Sequence, residues 1–194
     1  MMTNLSYVRL LPCALLCLCG QESLAQTLSI DFDATIEQTT CSMTVESLGT
    51  SRSSGDPVSG YLLTIPDMSV LDIVNKTSNA EGSFKLLPTE CNYDEISKIT
   101  MTISGNSGSS AYRISNNTSI EGYAQNTELG FKLKDTQDTQ HLKLNGEQQV
   151  TWTSEQIANG LELTAFIRKV SGDSSPVPVA GEFQAKATFV FTYQ

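Results

Sequence analysis

The last fourteen residues, GEFQAKATFVFTYQ, constrain the fold more than any other stretch of the chain. Phe183, Ala185, Ala187, Phe189, Phe191 and Tyr193 fall on one face, and Glu182, Gln184, Lys186, Thr188 and Thr192 on the other. A period of two belongs to a β-strand with one buried face, because successive side chains of a strand point to opposite sides. A final strand this apolar leaves its next pairing position to be filled by something else, unless an earlier strand already sits there. Open apolar edges of that kind drive aggregation, so an ordinary secreted protein has to cover them.

The same period recurs upstream. Ile99, Met101 and Ile103 alternate with Lys98, Thr100 and Thr102, and Leu161, Leu163, Ala165 and Ile167 alternate with Glu162, Thr164 and Arg168. Leu129, Phe131 and Leu133 repeat it, as do Leu142 and Leu144, and Asn145-Gly146 is a tight-turn dipeptide ahead of Val150 and Trp152. Ser51–Gly60, SRSSGDPVSG, reads as the clearest flexible loop, with Asn106–Ser110 and Val170–Val179 next. Helix is confined to a turn or two at Met68–Val74 and Ser154–Ala158. Many short strands around one core predict an all-β sandwich.

The N-terminus sets the compartment. Arg9 precedes the apolar run Leu10–Cys19, and Ser23-Leu24-Ala25 supplies small residues for cleavage, so residues 1–25 read as a secretory signal peptide. The run falls well short of the roughly 20 apolar residues a bilayer-crossing helix needs. No membrane span is expected, and the mature chain is taken to begin at Gln26. From there to Gln194 the chain has the length of one domain. Cys13, Cys17 and Cys19 leave with the signal, so Cys41 and Cys91 remain, and in an oxidising compartment they are most simply one disulfide. A two-cysteine metal site lacks partners, since His141 is the single histidine.

Arg9 and Glu22 leave together, which keeps the formal net charge at −9. With no basic run, nucleic acid is not an expected partner. No cofactor, metal or catalytic residue is expected either. His141 lies among polar residues in TQHLKLNG and reads as a solvated strand-end residue, and no nucleophile motif is present. Asp135, Asp138 and Asp94-Glu95 lack the spacing of a calcium loop.

The mature N-terminus, QTLSIDFDATIEQTTC, carries a second alternating segment, with Leu28, Ile30, Phe32, Ala34 and Ile36 against Ser29, Asp31, Asp33, Thr35 and Glu37. Taken alone, it is either a first strand paired inside its own sandwich or an extension that pairs elsewhere. Here the residues carry a resemblance. The chain resembles the chaperone–usher fimbrial subunits, the type 1 and P pilins, over essentially its whole mature length. Gly181 matches a glycine fourteenth from the C-terminus, Tyr193 a penultimate tyrosine, and Cys41 and Cys91 the pilin disulfide. Gln26–Thr40 matches an alternating extension ahead of the first cysteine.

The resemblance implies an incomplete Ig-like sandwich that lacks its last strand and leaves a groove beside the C-terminal one. Residues 26–40 would be a donor-strand extension and 41–194 the pilin domain. A periplasmic chaperone would fill the groove first. At the outer-membrane usher, the extension of a neighbouring subunit would replace it by β-strand addition. Leu28, Ile30, Phe32, Ala34 and Ile36 would be the donated residues. Gly181, Phe183, Ala185, Ala187, Phe189, Phe191 and Tyr193 would form the acceptor motif. Burying five such side chains gives an upper bound of about 8–15 kcal/mol before ordering costs. The family often has glycine where Ala34 stands, which bears on which neighbours accept the strand. The implied product is a pilus subunit, shaft or minor adaptor, exported through the periplasm to a cell-surface fimbrium that supports adhesion. The competing expectation is a free-standing secreted sandwich that binds a ligand through its loops.

Overall fold

The computed structural model describes residues 26–36, 41–93, 95–134, 136–137, 139–172 and 174–194. The signal segment, residues 37–40, and Asp94, Asp135, Asp138 and Asp173 lie outside them. Two sheets face each other. The first has the order β3 (Arg52–Asp56), β4 (Gly60–Met68), β1 (Gln26–Ile36), β11 (Phe183–Tyr193), β6 (Ile99–Gly105), β9 (Val150–Thr151). The second runs β2 (Ser42–Leu48), β5 (Glu81–Thr89), β10 (Leu161–Lys169), β8 (Thr127–Leu133), β7 (Ile114–Ser115). The all-β expectation holds.

Alternation builds the core. Strand β5 buries every second residue, and Leu63 and Ile65 of β4 and Ile99, Met101 and Ile103 of β6 are sealed from solvent. Phe84, Phe131 and Phe189 tie the two sheets together through three edge-to-face contacts, at 6.1 Å (84–131), 6.3 Å (84–189) and 5.6 Å (131–189) between centroids. Such pairs add about 0.5–1.5 kcal/mol each beyond the area they bury. Trp152 packs edge-on against Phe191 at 6.0 Å.

Two short helices bridge strands, α1 (Val70–Asn75) and α2 (Ser154–Asn159). Both open on a capping box, Ser69 with Asp72 and Thr153 with Gln156, which satisfies amide groups a one-turn helix would otherwise leave bare.

Three local expectations are corrected. Ser51–Gly60 is not a flexible loop. Residues 52–56 form β3, which pairs antiparallel with β4 from Arg52↔Thr64 to Asp56↔Gly60. Asn145-Gly146 does turn, with Gly146 at φ +79°, but it does not join two long strands; Gly146 donates to the Ile103 carbonyl and Val150–Thr151 pairs with β6. Finally, His141 is not simply solvated. Its ring centroid lies 4.7 Å from that of Phe166, and its Nδ1 is 3.2 Å from Arg113 Nη1.

Phe166 belongs to the outward face of β10, which is nonetheless buried, as are Thr164 and Arg168 beside it. The guanidinium groups of Arg113 and Arg168 lie 5.0 and 4.8 Å from its ring centroid, within cation–π range. Glu81 binds both Arg168 and Lys132, which offsets part of the positive charge gathered around the ring.

Candidate functional site: a strand slot between β4 and β11

The C-terminal strand has the burial its alternation demands. Phe183, Ala185, Ala187, Phe189 and Phe191 are buried, Lys186 and Thr192 are exposed, and Tyr193 is partly buried against the core. One edge of β11 is fully engaged. From Ala187 to Tyr193 it pairs antiparallel with β6. Ahead of that, the segment around 116–124 takes over: Asn117 N donates to the Gln184 carbonyl at 2.8 Å, and Ala124 N to the Glu182 carbonyl at 2.7 Å.

Buried Asn116 clamps the start of the strand. Its amide nitrogen donates to the Ala124 carbonyl at 2.8 Å and the Glu182 carbonyl at 3.1 Å, while its oxygen accepts from Gln184 N at 2.9 Å. Nothing in the sequence distinguished this residue from its neighbours in SNNTS. Gly181 has the same neighbourhood. A Cβ there would come within 2.3 Å of the Gly122 carbonyl oxygen and 2.6 Å of Ala124 N, so only glycine permits this approach of two main chains.

The other edge of β11 is the slot. Strands β4 and β11 belong to one sheet yet do not pair with each other; β1 lies between them. It runs antiparallel to β4 and parallel to β11. Among the described strands every other pairing is antiparallel. The register with β11 runs from Leu28↔Phe183 through Ile30↔Ala185, Phe32↔Ala187 and Ala34↔Phe189 to Ile36↔Phe191. Large and small residues are therefore register partners at positions 30, 32 and 34. Asp31 takes its place beside Lys186. Against β4 the pairing is shorter, from Gln26↔Met68 to Phe32↔Tyr61, with an irregularity between Gln26 and Leu28.

In the second sheet the Cys41–Cys91 disulfide joins the start of β2 to the end of its neighbour β5, with Cα atoms 4.4 Å apart. Tyr61 Oη donates to the Met43 carbonyl at 3.4 Å, tying β4 to β2 at that end. The Tyr193 hydroxyl finds no hydrogen-bond partner among the described residues, and burial pushes its pKa up to about 12.

No group of histidine, cysteine or acidic side chains among the described residues is arranged to hold a metal, and no described helix is long and apolar enough to cross a membrane. The chemistry on offer is main-chain hydrogen bonding along a strand-shaped apolar slot.

Comparison with known proteins gives this geometry its family. An "Uncharacterized fimbrial-like protein YadM" of Escherichia coli (strain K12) is 32% identical over 174 residues, covering 88% of each chain. The solved structure of the P pilus rod subunit PapA aligns at 16% identity and TM-score 0.49, covering 80% of this chain and 100% of that one. The family model for fimbrial proteins matches residues 30–194, and the chain accordingly belongs to the fimbrial protein family.

Proposed function

We propose that this fimbrial subunit, structural rather than enzymatic, polymerises by exchanging strands through the β4–β11 slot. The observation that carries the reading is the topology of the first sheet. Residues 41–194 alone leave a gap between β4 and β11, and the strand that fills it reaches the domain only through residues 37–40. With cleavage after Ala25, that strand is free at its other end and can be replaced. Leu28, Ile30, Phe32, Ala34 and Ile36 are then the donated residues. Gly181, Phe183, Ala185, Ala187, Phe189, Phe191 and Tyr193 form the acceptor wall.

The parallel pairing supports this reading. Parallel ladders are slightly less stable per residue than antiparallel ones. Because β4 and β11 run in opposite directions, any strand in the slot is parallel to one of them. In the self-filled state the parallel partner is β11, along the longer run, Leu28–Ile36. A neighbour's strand entering the other way makes the longer run antiparallel. The self-filled chain is thus a closed form that a neighbour can displace. A periplasmic chaperone that occupies the slot during export, and an outer-membrane usher where subunits join, complete the scheme, which ends in an adhesive fimbrium on the cell surface.

The test is the thermal melting of the chain lacking residues 26–40, with and without a synthetic peptide of that segment. A large, slowly reversed rise in melting temperature is expected. A stable monomer indifferent to the peptide would mean a complete sandwich, and would favour a free-standing ligand-binding domain.

A further inference from the structure

The hairpin joining β3 to β4 ends in an apolar residue that the fold holds out in water. Val58 is 96% exposed. Its turn is nonetheless fixed: Asp56 accepts from Val58 N at 2.8 Å, Ser59 N at 2.9 Å and Ser59 Oγ at 2.6 Å. Gly55 adopts φ +111°, and a Cβ there would lie 2.1 Å from the Gly60 carbonyl oxygen. A turn ordered in advance loses little entropy when its tip is bound, which is what a docking element requires.

A second exposed apolar pair lies at the far end of the molecule. Leu71 and Val74 of α1 are 68% and 45% exposed, while Ile73 anchors the helix in the core. Three residues apart, they share one helix face.

The two features occupy opposite poles. Val58 sits beside Tyr61, whose hydroxyl reaches Met43 near Cys41, whereas α1 follows Met68, the partner of Gln26. Nine residues of β4 separate them, about 30 Å at roughly 3.4 Å per residue. One copy cannot bring them together, but a second copy can.

The linker decides which poles meet. Only residues 37–40 join Ile36 to Cys41, a span of at most about 18 Å. When the extension lies in a neighbour's slot, the pole where Ile36 emerges must therefore abut this subunit's Cys41 pole, where Val58 projects. Inserted parallel to β11, as in the self-filled chain, Ile36 would emerge at the neighbour's Cys41 pole and bring like ends together, an arrangement that closes on a pair. Inserted the other way, it emerges at the α1 pole, giving a head-to-tail contact that propagates as an open fibre.

Resting on the donor-strand reading above, we propose that consecutive copies make a second contact outside the slot, with Val58 of one subunit seated against Leu71 and Val74 of the next. The test uses the full chain assembled into fibres on cells, carrying Val58→Cys and Leu71→Cys together and treated with a short bis-maleimide. A ladder of dimers and higher species that needs both cysteines is expected. Fibres visible by electron microscopy that give no ladder would overturn the contact while leaving strand exchange intact. Absence of fibres from the unsubstituted chain would overturn the donor-strand reading, and this contact with it. As a second readout, Val58→Asp should lower the heat resistance of the fibre, and adding Leu71→Lys should restore it; unchanged resistance in Val58→Asp would also overturn the contact.

Discussion

Gly181 lies directly against the main chain of Gly122, so close that a single added methyl group would come within 2.3 Å of the Gly122 carbonyl oxygen. The same contact carries hydrogen bonds, since Glu182 N donates to that carbonyl at 3.0 Å. The glycine at the head of β11 is therefore required by packing between two backbones, because no left-handed φ is involved.

Replacing Gly181 with alanine should push the 122–124 segment off the strand. Overpacking of a tight site costs about 1–3 kcal/mol. Urea denaturation of the full chain should show a lower midpoint with an unchanged slope. An unaltered midpoint would mean that the segment yields without cost.

Asn116→Ala removes three hydrogen bonds at once and leaves the Gln184 amide and the Ala124 and Glu182 carbonyls to other partners. An unsatisfied buried polar group costs about 1–3 kcal/mol. The loss should be local as well as global: amide exchange at Gln184 should accelerate more than at Val190, which pairs with Thr102 of β6. Equal acceleration at both positions would argue against a clamp.

The Cys41–Cys91 bridge spans a sequence separation of 50 residues. For a loop of that size the chain-entropy relation gives a stabilisation of about 4 kcal/mol. The Cys41→Ser, Cys91→Ser double variant should lose stability of that order in chemical denaturation, and dithiothreitol should bring the natural chain to the same midpoint. A loss under about 1 kcal/mol would show that the unfolded chain is already restricted.

How much of this was legible depended on whether the two faces of a strand differ. In β11 they do, so the sequence alone placed Phe183 to Phe191 correctly on the inner face. In β10 the outer residue Phe166 is buried among Arg113, His141 and Arg168, and alternation carries no mark of a second cover. Small polar residues made Arg52–Asp56 read as loop; its strand character comes from pairing with β4, not from side chains. Direction is invisible too. The alternation of β1 reads the same parallel or antiparallel, and only the fold shows that it runs with β11. Asn116 is a loop asparagine like any other until the fold brings Glu182 and Gln184 to it.

Tyr193 gives the sharpest pH signature. Burial raises its hydroxyl to about 12, while a tyrosine in the unfolded chain titrates near pH 10. A folded-state value above the unfolded one means that folding favours the neutral phenol. The associated stability is fully present below about pH 10 and is lost as pH rises toward 12. Tyr61, also raised, first by burial and then by nearby Asp56, titrates in the alkaline range as well, so the natural chain alone cannot isolate the effect. Comparison with Tyr193→Phe can. The variant keeps the ring against the core and removes only a hydroxyl with no partner among the described residues. Its melting temperature should match the natural chain at pH 8 or exceed it slightly, and should fall less steeply between pH 10 and 12. Phenolate absorbance should lose one late-titrating group. Parallel melting curves across that window would mean that the hydroxyl reaches solvent, and that the end of β11 is looser than its pairing with Ile99 implies.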